Sequence, residues 1–391
     1  MTTRYGQSNS DQLYFKEDHQ MLRKTVADFI SNEINPSMDQ WEEEGQAPLH
    51  ELFKKMGDLG LLGIRYDPEW GGQGLDNWFD LVFLEELGHI QGGGVGMAIG
   101  VQTHMATPAI AEFGSDYLKE TYLKPAVLGE AVSCIGVTEP EAGSDVAGLK
   151  TRAVKDGDEW VINGSKLFIT NGVQADFCTL LCRTSDGPGY HAFSLIVIPT
   201  DSPGFSVGKK LDKLGMRCSD TALLYLDNVR VPLANTIGKE GEGFIYQMKQ
   251  FQHERFFPLP SAYVSGQDVI KMTVDYIRQR EAFGKPLIAK QVLRHRLADW
   301  VTELELLKQL IYHIVRMKEA GMDVTREVTM GKLYAGPLIR RVVDGCLQMF
   351  GGTGYINENI ITRHYRDCRL LSIGGGADEV MSDILTKIEG F

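Results

Sequence analysis

The spacing of apolar residues changes twice along this chain, and this pattern constrains the fold more than any other feature. From about residue 11 to 125 the spacing is helical, as in "DHQMLRKTVADFISNEI". From about 130 to 235 short apolar runs are bounded by turns, and helical spacing then returns to the end. The sequence therefore predicts an α+β fold with three domains: a helical N-terminal domain at 1–129, an antiparallel β-barrel-like domain at 130–236, and a C-terminal helical bundle at 237–391.

Two glycine-containing segments carry local predictions. Asn163-Gly164 stands between two short β-type runs, and this pair tolerates positive φ, so we predict a β-hairpin there. The segment "GGGVGMAIG" at 92–100 lies between helical segments rather than after a strand. We therefore interpret it as a helix connection with close packing, and not as a dinucleotide-binding loop.

Charge and cysteine usage exclude several classes of protein. A formal net charge of -12 argues against nucleic acid or an anionic membrane as the main partner. No apolar run reaches membrane-spanning length, and the polar N-terminal stretch "MTTRYGQSNSDQLYFKEDHQ" lacks the features of signal and transit peptides. The six cysteines are scattered, without the spacing of a metal site or a disulfide framework. We expect a large enzyme of a reducing, cytoplasmic compartment, without a metal.

Common hydrolase, nucleotide-binding and zinc signatures are absent from the sequence, and the remaining motifs are individually unspecific. They are "VTEPEAGSD" at 137–145, "ITNG" at 169–172, "RQREAFGKP" at 278–286 and "QMFGGTGY" at 348–355. Each also fits an ordinary loop, turn, helix end or anion-binding glycine turn. Together, in this order, they resemble the acyl-CoA dehydrogenase family over nearly the whole chain.

The resemblance implies FAD as the cofactor and a homotetramer as the assembly. The residues expected around the flavin ring are Ile135, Val137, Thr138, Phe168 and Thr170. Ser144 is expected where the FAD phosphates and the acyl-CoA chain pass. Residues expected to reach the FAD of a neighbouring subunit are Arg280, Phe283, Gln291, Gln348, Gly351 and Gly352. The family usually carries Trp at the position of Phe168, and often a hydroxyl residue at that of Ala282.

The family reaction removes a proton from Cα and a hydride from Cβ of an acyl thioester, so it requires a carboxylate over Cα. Many relatives carry this acid in a late "Y-E-G-T" segment, but here the matching stretch is "SIGGGADEV" and Gly375 takes the acid's place. Long-chain and isovaleryl-type members instead carry a Glu before an Arg on a C-terminal core helix, where this chain has Glu254-Arg255. We predict Glu254 as the base; the alternative is an inactive or altered site.

The same resemblance implies roles for two further residues. Arg255 is expected to hold the CoA or a nearby carboxylate, and the Gly375 N–H is expected to help polarise the thioester oxygen. Ala377 and Asp378 replace the usual Thr-Ser, which leaves their contacts with the flavin open.

The segment "FQHERFFPLP" at 251–260 places two prolines in a helical pattern. Pro258 cannot donate to the Glu254 carbonyl, so we predict a break that lets the Glu254 side chain point at the substrate. The alternative is that Pro258 and Pro260 only relieve packing under Phe256 and Phe257. Loss of water around Glu254 should raise its pKa above about 4.3.

The sequence is thus interpreted as an FAD-dependent acyl-CoA dehydrogenase that forms a trans-2-enoyl-CoA and passes electrons to an electron-transfer flavoprotein. Its "SIGGGADE" ending most resembles enzymes acting on citronellyl-CoA and related branched or medium- to long-chain esters. Two alternatives remain open: a flavin-dependent oxidase or monooxygenase with the same fold, and a non-catalytic acyl-CoA-binding module.

Overall fold

The computed structural model describes residues 13–187 and 189–391. Its N-terminal part is helical, as the sequence predicts. The α-helices there are α1 (Glu17–Phe29), α2 (Met38–Glu44), α3 (Leu49–Asp58), α4 (Asn77–Glu86), α5 (Gly93–Gly100), α6 (Pro108–Phe113), α7 (Asp116–Leu118) and α8 (Lys124–Val127). The π-helical segments are Ile30–Ile34, Val101–Met105 and Lys119–Leu123.

Helix α4 lies at the centre of this part. It begins at the N-cap Asp76, whose side chain accepts from Trp78 N and Phe79 N. Its residues from 80 to 86 are all buried, including Glu85 and Glu86. These two carboxylates are neutralised by Arg23 of α1, at 2.7 and 2.6 Å, so an ion-pair network joins α1 to α4.

A single eight-stranded sheet forms the middle part, in the order β6-β7-β3-β2-β4-β5-β8, with β1 added beside β4. The strands are β1 (Ser133–Gly136), β2 (Arg152–Asp156), β3 (Glu159–Thr170), β4 (Phe177–Arg183), β5 (Phe193–Pro199), β6 (Phe205–Lys210), β7 (Thr221–Pro232) and β8 (Thr236–Ile237). Most neighbours are antiparallel, as expected, while β4 pairs in parallel with β1 and β2.

The hairpin predicted at Asn163-Gly164 is wrong, because both residues lie inside the continuous strand β3. The turn that joins β2 to β3 occurs at Gly157-Asp158, where Gly157 adopts φ 62. Asn163-Gly164 instead marks a shift in the pairing register between β3 and β7.

Two contacts explain why this pair bulges instead of turning. The Asn163 side-chain oxygen accepts from Asn228 N on β7 at 2.9 Å. A Cβ on Gly164 would lie 2.4 Å from Thr151 Oγ1, so only glycine lets β3 pass so close to its neighbour. The Asn-Gly pair therefore forms an irregularity within strand β3 rather than a turn.

Helices return in the C-terminal part: α9 (Gly243–Phe256), α10 (Pro258–Gln279), α11 (Gln291–Glu319), α12 (Thr325–Phe350), α13 (Ile360–Asp367) and α14 (Asp378–Glu389). A short ribbon of β9 (Glu281–Ala282) and β10 (Lys285–Pro286) separates α10 from α11. The segment 92–100, interpreted as a connection between helices, is instead largely helical, because Gly93–Gly100 form α5. A Cβ on Gly100 would lie 2.3 Å from the Phe257 ring, so glycine lets α5 pack against the junction of α9 and α10.

Within the described ranges, no helix has both the length and the apolar character needed to cross a membrane. The described residues also contain no group of His, Cys, Asp and Glu side chains placed to hold a metal ion. All six cysteines are free. Most of the N-terminal stretch on which the targeting prediction rests, residues 1–12, lies outside the described residues.

Candidate active site

The helix break predicted near Glu254 is present and lies at Phe257. Helix α9 ends at Phe256 and α10 begins at Pro258, while Phe257 keeps helical angles of φ -43 and ψ -51. Phe257 N still donates to His253 O at 2.9 Å, but Pro258 has no N–H for the Glu254 carbonyl. Phe256 and Phe257 are both buried, so the junction also has a packing role.

Glu254 and Gly375 meet in space. Gly375 lies in the loop between the 3₁₀ segment Cys368–Ser372 and α14, with φ +65. A Cβ built onto Gly375 would lie 3.5 Å from Glu254 Oε1 and 3.7 Å from Glu254 Cγ. The two positions that the sequence offered as alternative carriers of the acid therefore share one place.

Glu254 is half-buried. Burial raises the pKa of Glu254 to about 7, against the opposing positive charges of Arg255 and Lys332. Arg255 is buried, its Nε donates to Gly375 O at 3.3 Å, and its guanidinium lies 5.5 Å from the Phe251 ring centre. A carboxyl group with this pKa can accept a proton near neutral pH.

The glycine loop has a free donor beside this carboxyl group. Among the described residues, the Gly375 N–H has no hydrogen-bond acceptor, whereas the Gly375 carbonyl accepts from Arg255. A free backbone N–H near a proton-accepting carboxylate suits a carbonyl oxygen on which negative charge develops.

Lys332 was not found by sequence reasoning. It lies on α12 and is buried, and its Nζ donates to the carbonyls of Leu371 and Gly376. Burial lowers the pKa of Lys332 to about 8, while Asp378 and Glu254 act to raise it. A lysine in the middle of a long helix carries no local signal of this contact, because the loop is about 40 residues further along the chain.

The "VTEPEAGSD" loop after β1 is held by a buried ion pair. Glu139 accepts from Lys150 N at 2.6 Å, from Thr151 N at 2.9 Å and from Lys166 Nζ at 2.8 Å. Lys166 also donates to Val137 O at 3.0 Å. Burial alone would raise the pKa of Glu139, but Lys166 and these hydrogen bonds outweigh it and keep the pKa low. Glu139 was likewise missed, since its role depends on partners in two other segments, at Lys150-Thr151 and at Lys166.

This loop meets the "ITNG" segment at the end of β3. Leu167 N donates to Thr138 O at 2.9 Å, and the pairing of β3 with β7 shifts between Lys166 and Ile169. The shift holds Phe168 at φ 62, with 64% of the residue exposed. Such a backbone is costly for a residue with a bulky side chain, so the surrounding structure must impose it.

The structure brings together the residues expected around the flavin ring. Ile135, Val137, Thr138 and Thr170 are half-buried, and Ser144 is exposed further along the loop. The Asn171 amide donates to Ala98 O at 3.0 Å and to Ser133 O at 3.2 Å, which ties the segment to α5 and β1. Its own Oδ1 is buried and has no partner among the residues that the structure describes. The exposed Phe168 ring near the end of β3 is suited to contact one face of a flat aromatic group.

The residues expected to reach another subunit lie on the surface of the C-terminal part. Phe283 and Gly284 form the turn of the β9–β10 ribbon, with φ 55 and 74, and Phe283 is 95% exposed. Positive φ at both positions is the pattern of a type I′ turn. Exposed residues also include Arg280, Gln291, Gln348, Gly351 and Gly352. Space is open above Gly284, Gly351 and Gly352, where a Cβ would meet nothing within 4 Å.

A buried charge cluster, also missed, surrounds His253, the neighbour of Glu254. Asp80 lies 3.2 Å from Arg65 Nε and 3.1 Å from His104 Nε2, and Arg65 Nη2 lies 3.4 Å from His253 Nδ1. Burial alone would raise the pKa of Asp80, but Arg65 and His104 outweigh it and hold the pKa well below its usual range. Burial lowers the pKa of Lys318, nearby, to about 7. The cluster draws on five separate segments, so no sequence motif marks it.

Models of three domains of one family match the chain. The model described as "Acyl-CoA dehydrogenase, N-terminal domain" matches residues 16–130, that of the middle domain matches 134–229, and that of the C-terminal domain matches 241–389. The "Long-chain specific acyl-CoA dehydrogenase, mitochondrial" of Sus scrofa is 32% identical over 376 residues, which cover 95% of this chain and 86% of that protein.

Solved structures agree with this match. A probable acyl-CoA dehydrogenase from Mycobacterium abscessus superposes with a TM-score of 0.93 at 41% identity, covering 96% of this chain and 100% of that one. A glutaryl-CoA dehydrogenase from Mycobacterium smegmatis, in complex with FADH2, superposes with a TM-score of 0.90 at 30% identity, covering 98% of this chain and 97% of that one.

Proposed function

The chain belongs to the acyl-CoA dehydrogenase family, and from this premise we propose that Glu254 is the base of its reaction. Enzymes of this family are FAD-dependent oxidoreductases that dehydrogenate acyl-CoA thioesters. The observation that carries the proposal is the position of Glu254 Oε1, 3.5 Å from where a Gly375 side chain would begin. A carboxylate there replaces the acid that residue 375 lacks.

Each residue of the site has a proposed role in the reaction. Glu254 takes the proton from Cα of the thioester, and the Gly375 N–H donates to the thioester oxygen as negative charge develops there. Arg255 holds the loop through the Gly375 carbonyl. Bound FAD supplies the acceptor for the hydride that leaves Cβ. The product is the trans-2-enoyl-CoA.

The residues that would hold the flavin fall into two sets. Ile135, Val137, Thr138, Phe168 and Thr170 would surround its ring, and Ser144 would lie near its phosphates and the acyl-CoA. Arg280, Phe283, Gln291, Gln348, Gly351 and Gly352 would reach the FAD of a neighbouring subunit in a homotetramer. Their exposure, and the open space at both turns, support a contact with another chain. Phe283→Ala should lower FAD content and shift the assembly toward smaller species in a mass measurement.

Burial of Glu254 supports its role as a base. Its pKa of about 7 leaves about half of the Glu254 carboxyl groups ionised at pH 7 and makes the carboxylate more basic than that of an exposed Glu. Proton transfer is efficient when the pKa of the base lies near the working pH.

The proposed substrate is a branched or medium- to long-chain acyl-CoA, with citronellyl-CoA as a specific candidate. The support is the resemblance of the "SIGGGADE" ending and the similarity to a long-chain-specific relative. We propose an electron-transfer flavoprotein as the acceptor of the electrons.

Anaerobic reduction of the purified, flavin-loaded protein tests the substrate class. Straight-chain, 3-methyl and terpenoid acyl-CoA esters should differ in how fast they bleach the flavin, with the branched or longer esters fastest. Fast bleaching by short straight chains alone would overturn the proposed substrate class. Peroxide formed in air at the rate of reduction would favour an oxidase, and no bleaching by any ester would favour a binding module.

A further inference from the structure

Lys332 connects the glycine loop to the base. Its Nζ donates to Leu371 O and to Gly376 O, the latter at 3.1 Å, so one ammonium holds both ends of the loop. Its Cε lies 3.8 Å from the Cβ position of Gly375, and Glu254 Oε1 lies 3.5 Å from the same point. The side-chain space that residue 375 leaves empty is therefore bounded by an acid and a lysine.

Three charged groups act on Lys332. Glu254 and Asp378 are the carboxylates, and Arg255 is the other cation. Asp378 stands at the start of α14, and its Oδ1 is buried without a hydrogen-bond partner in the described part of the chain. This oxygen lies 3.1 Å from the Cβ position of Gly336, one helical turn beyond Lys332 on α12. The proposed base and a second acid are thus the two carboxylates whose charges act on the buried Lys332 ammonium.

We propose that Lys332 is a positioning residue for Glu254, which fixes the glycine loop beside the carboxylate and favours its ionised form, and that Asp378 keeps Lys332 protonated. This inference rests on the proposed role of Glu254. Lys332 itself is assigned no contact with the Cα proton or the thioester. It acts through the residues it holds.

The physical need for such a cation follows from burial. Moving a carboxylate away from water favours its protonated form, and a bound acyl chain removes still more water. A nearby ammonium opposes this effect, as Lys332 does for Glu254. Burial also lowers the pKa of Lys332 to about 8, and the negative charge of Asp378 opposes this effect. Asp378 therefore favours the protonated form of Lys332.

The pH dependence of flavin reduction tests the inference, because a purely structural lysine would not set it. The FAD-loaded protein is mixed anaerobically with its best acyl-CoA ester, and the rate constant is followed from about pH 5.5 to 9.5. The acid limb is the part of the profile where the rate constant falls as the pH is lowered. In Lys332→Met this limb should move to higher pH by about one pH unit, which makes the rate constant at pH 6.5 about tenfold lower. Lys332→Arg should retain the natural limb, and Asp378→Asn should move it upward by a smaller amount.

Lys318→Met is a matched control. It removes a buried ammonium from the same helical region, but one that does not act on Glu254. The acid limb of flavin reduction in this variant should lie at the same pH as in the natural protein, even if the variant is less stable. An unchanged limb in Lys332→Met, whatever the loss of rate or FAD, would overturn the inference.

Two further outcomes keep the test decisive. If Lys332→Met does not hold FAD, Asp378→Asn decides, and a natural limb in that variant overturns the inference. If Glu254→Gln is as active as the natural protein, the proposed base itself is wrong. An inactive Glu254→Gln together with an unmoved limb in Lys332→Met would reject only the role of Lys332.

Discussion

Glu254 Oε1 lies 3.5 Å from the point where a side chain on Gly375 would begin, although one residue is on α9 and the other follows α13. Two distant positions in the sequence thus offer alternative routes for a carboxylate to reach one place. The carboxylate of Glu254 therefore lies next to the place that an acidic side chain at residue 375 would occupy.

Moving the acid from one position to the other should restore part of the activity. Glu254→Ala should be almost inactive, and adding Gly375→Glu to it should raise the rate of flavin reduction at least about tenfold. Recovery should be incomplete, because φ +65 at Gly375 costs a residue with a Cβ roughly 1–2 kcal/mol. A double variant no faster than Glu254→Ala would show that the two positions do not reach the same substrate atom.

Flavin reduction should depend on pH with an acid limb near pH 7. Burial raises the pKa of Glu254 to about 7, and only the ionised carboxylate can accept the proton. The rate constant should therefore fall about tenfold for each pH unit below this value, and level off above it. Rate constants that stay flat between about pH 5.5 and 8 would exclude a base with this pKa.

The raised pKa of Glu254 should also reduce the stability of the fold at neutral pH. The folded protein holds this proton up to about pH 7, whereas the ordinary value is 4.5, so stability is lost as the pH rises between them. Glu254→Gln is neutral throughout. It should unfold at a higher temperature than the natural protein at pH 8, by about 1–2 kcal/mol of stability, and at nearly the same temperature at pH 4. Equal melting temperatures at pH 8 would contradict the assigned burial.

Pro258→Ala should lower the rate while FAD is retained. The substitution supplies an N–H for the Glu254 carbonyl, so α9 can continue through Phe257 and redirect the carboxylate. A shift of a fraction of an ångström should cost about tenfold in flavin reduction. Pro260→Ala, which leaves the Glu254 carbonyl without a donor as before, is the control and should have a smaller effect. An unchanged rate in Pro258→Ala would leave packing as the role of the proline.

The order of helical and strand-forming segments could be predicted because it depends on local apolar spacing. The described strands of the sheet run from Ser133 to Ile237, and helices precede and follow them along the chain. The Asn163-Gly164 prediction was wrong for a non-local reason. Thr151 and Asn228 decide whether that pair turns or bulges, and a local pattern contains neither.

The candidate site could be predicted only where residue type and motif coincide. Glu254, Gly375 and the "VTEPEAGSD" loop stand out in the sequence, but Lys332, Glu139 and Asp80 do not. Their partners lie on other helices and strands, so their buried charges become visible only once the chain is folded. The positive φ of Phe168 could not be predicted either, because the register shift in the pairing of β3 with β7 imposes it.

Anaerobic stopped-flow reduction of the FAD-loaded Glu254→Gln variant tests the central claim most directly. The variant should bind acyl-CoA as the natural protein does, seen as the same perturbation of the flavin spectrum, while its flavin is reduced at least about 10³-fold more slowly. Reduction at a rate close to that of the natural protein would show that another group takes the proton from Cα, and that Glu254 is not the base.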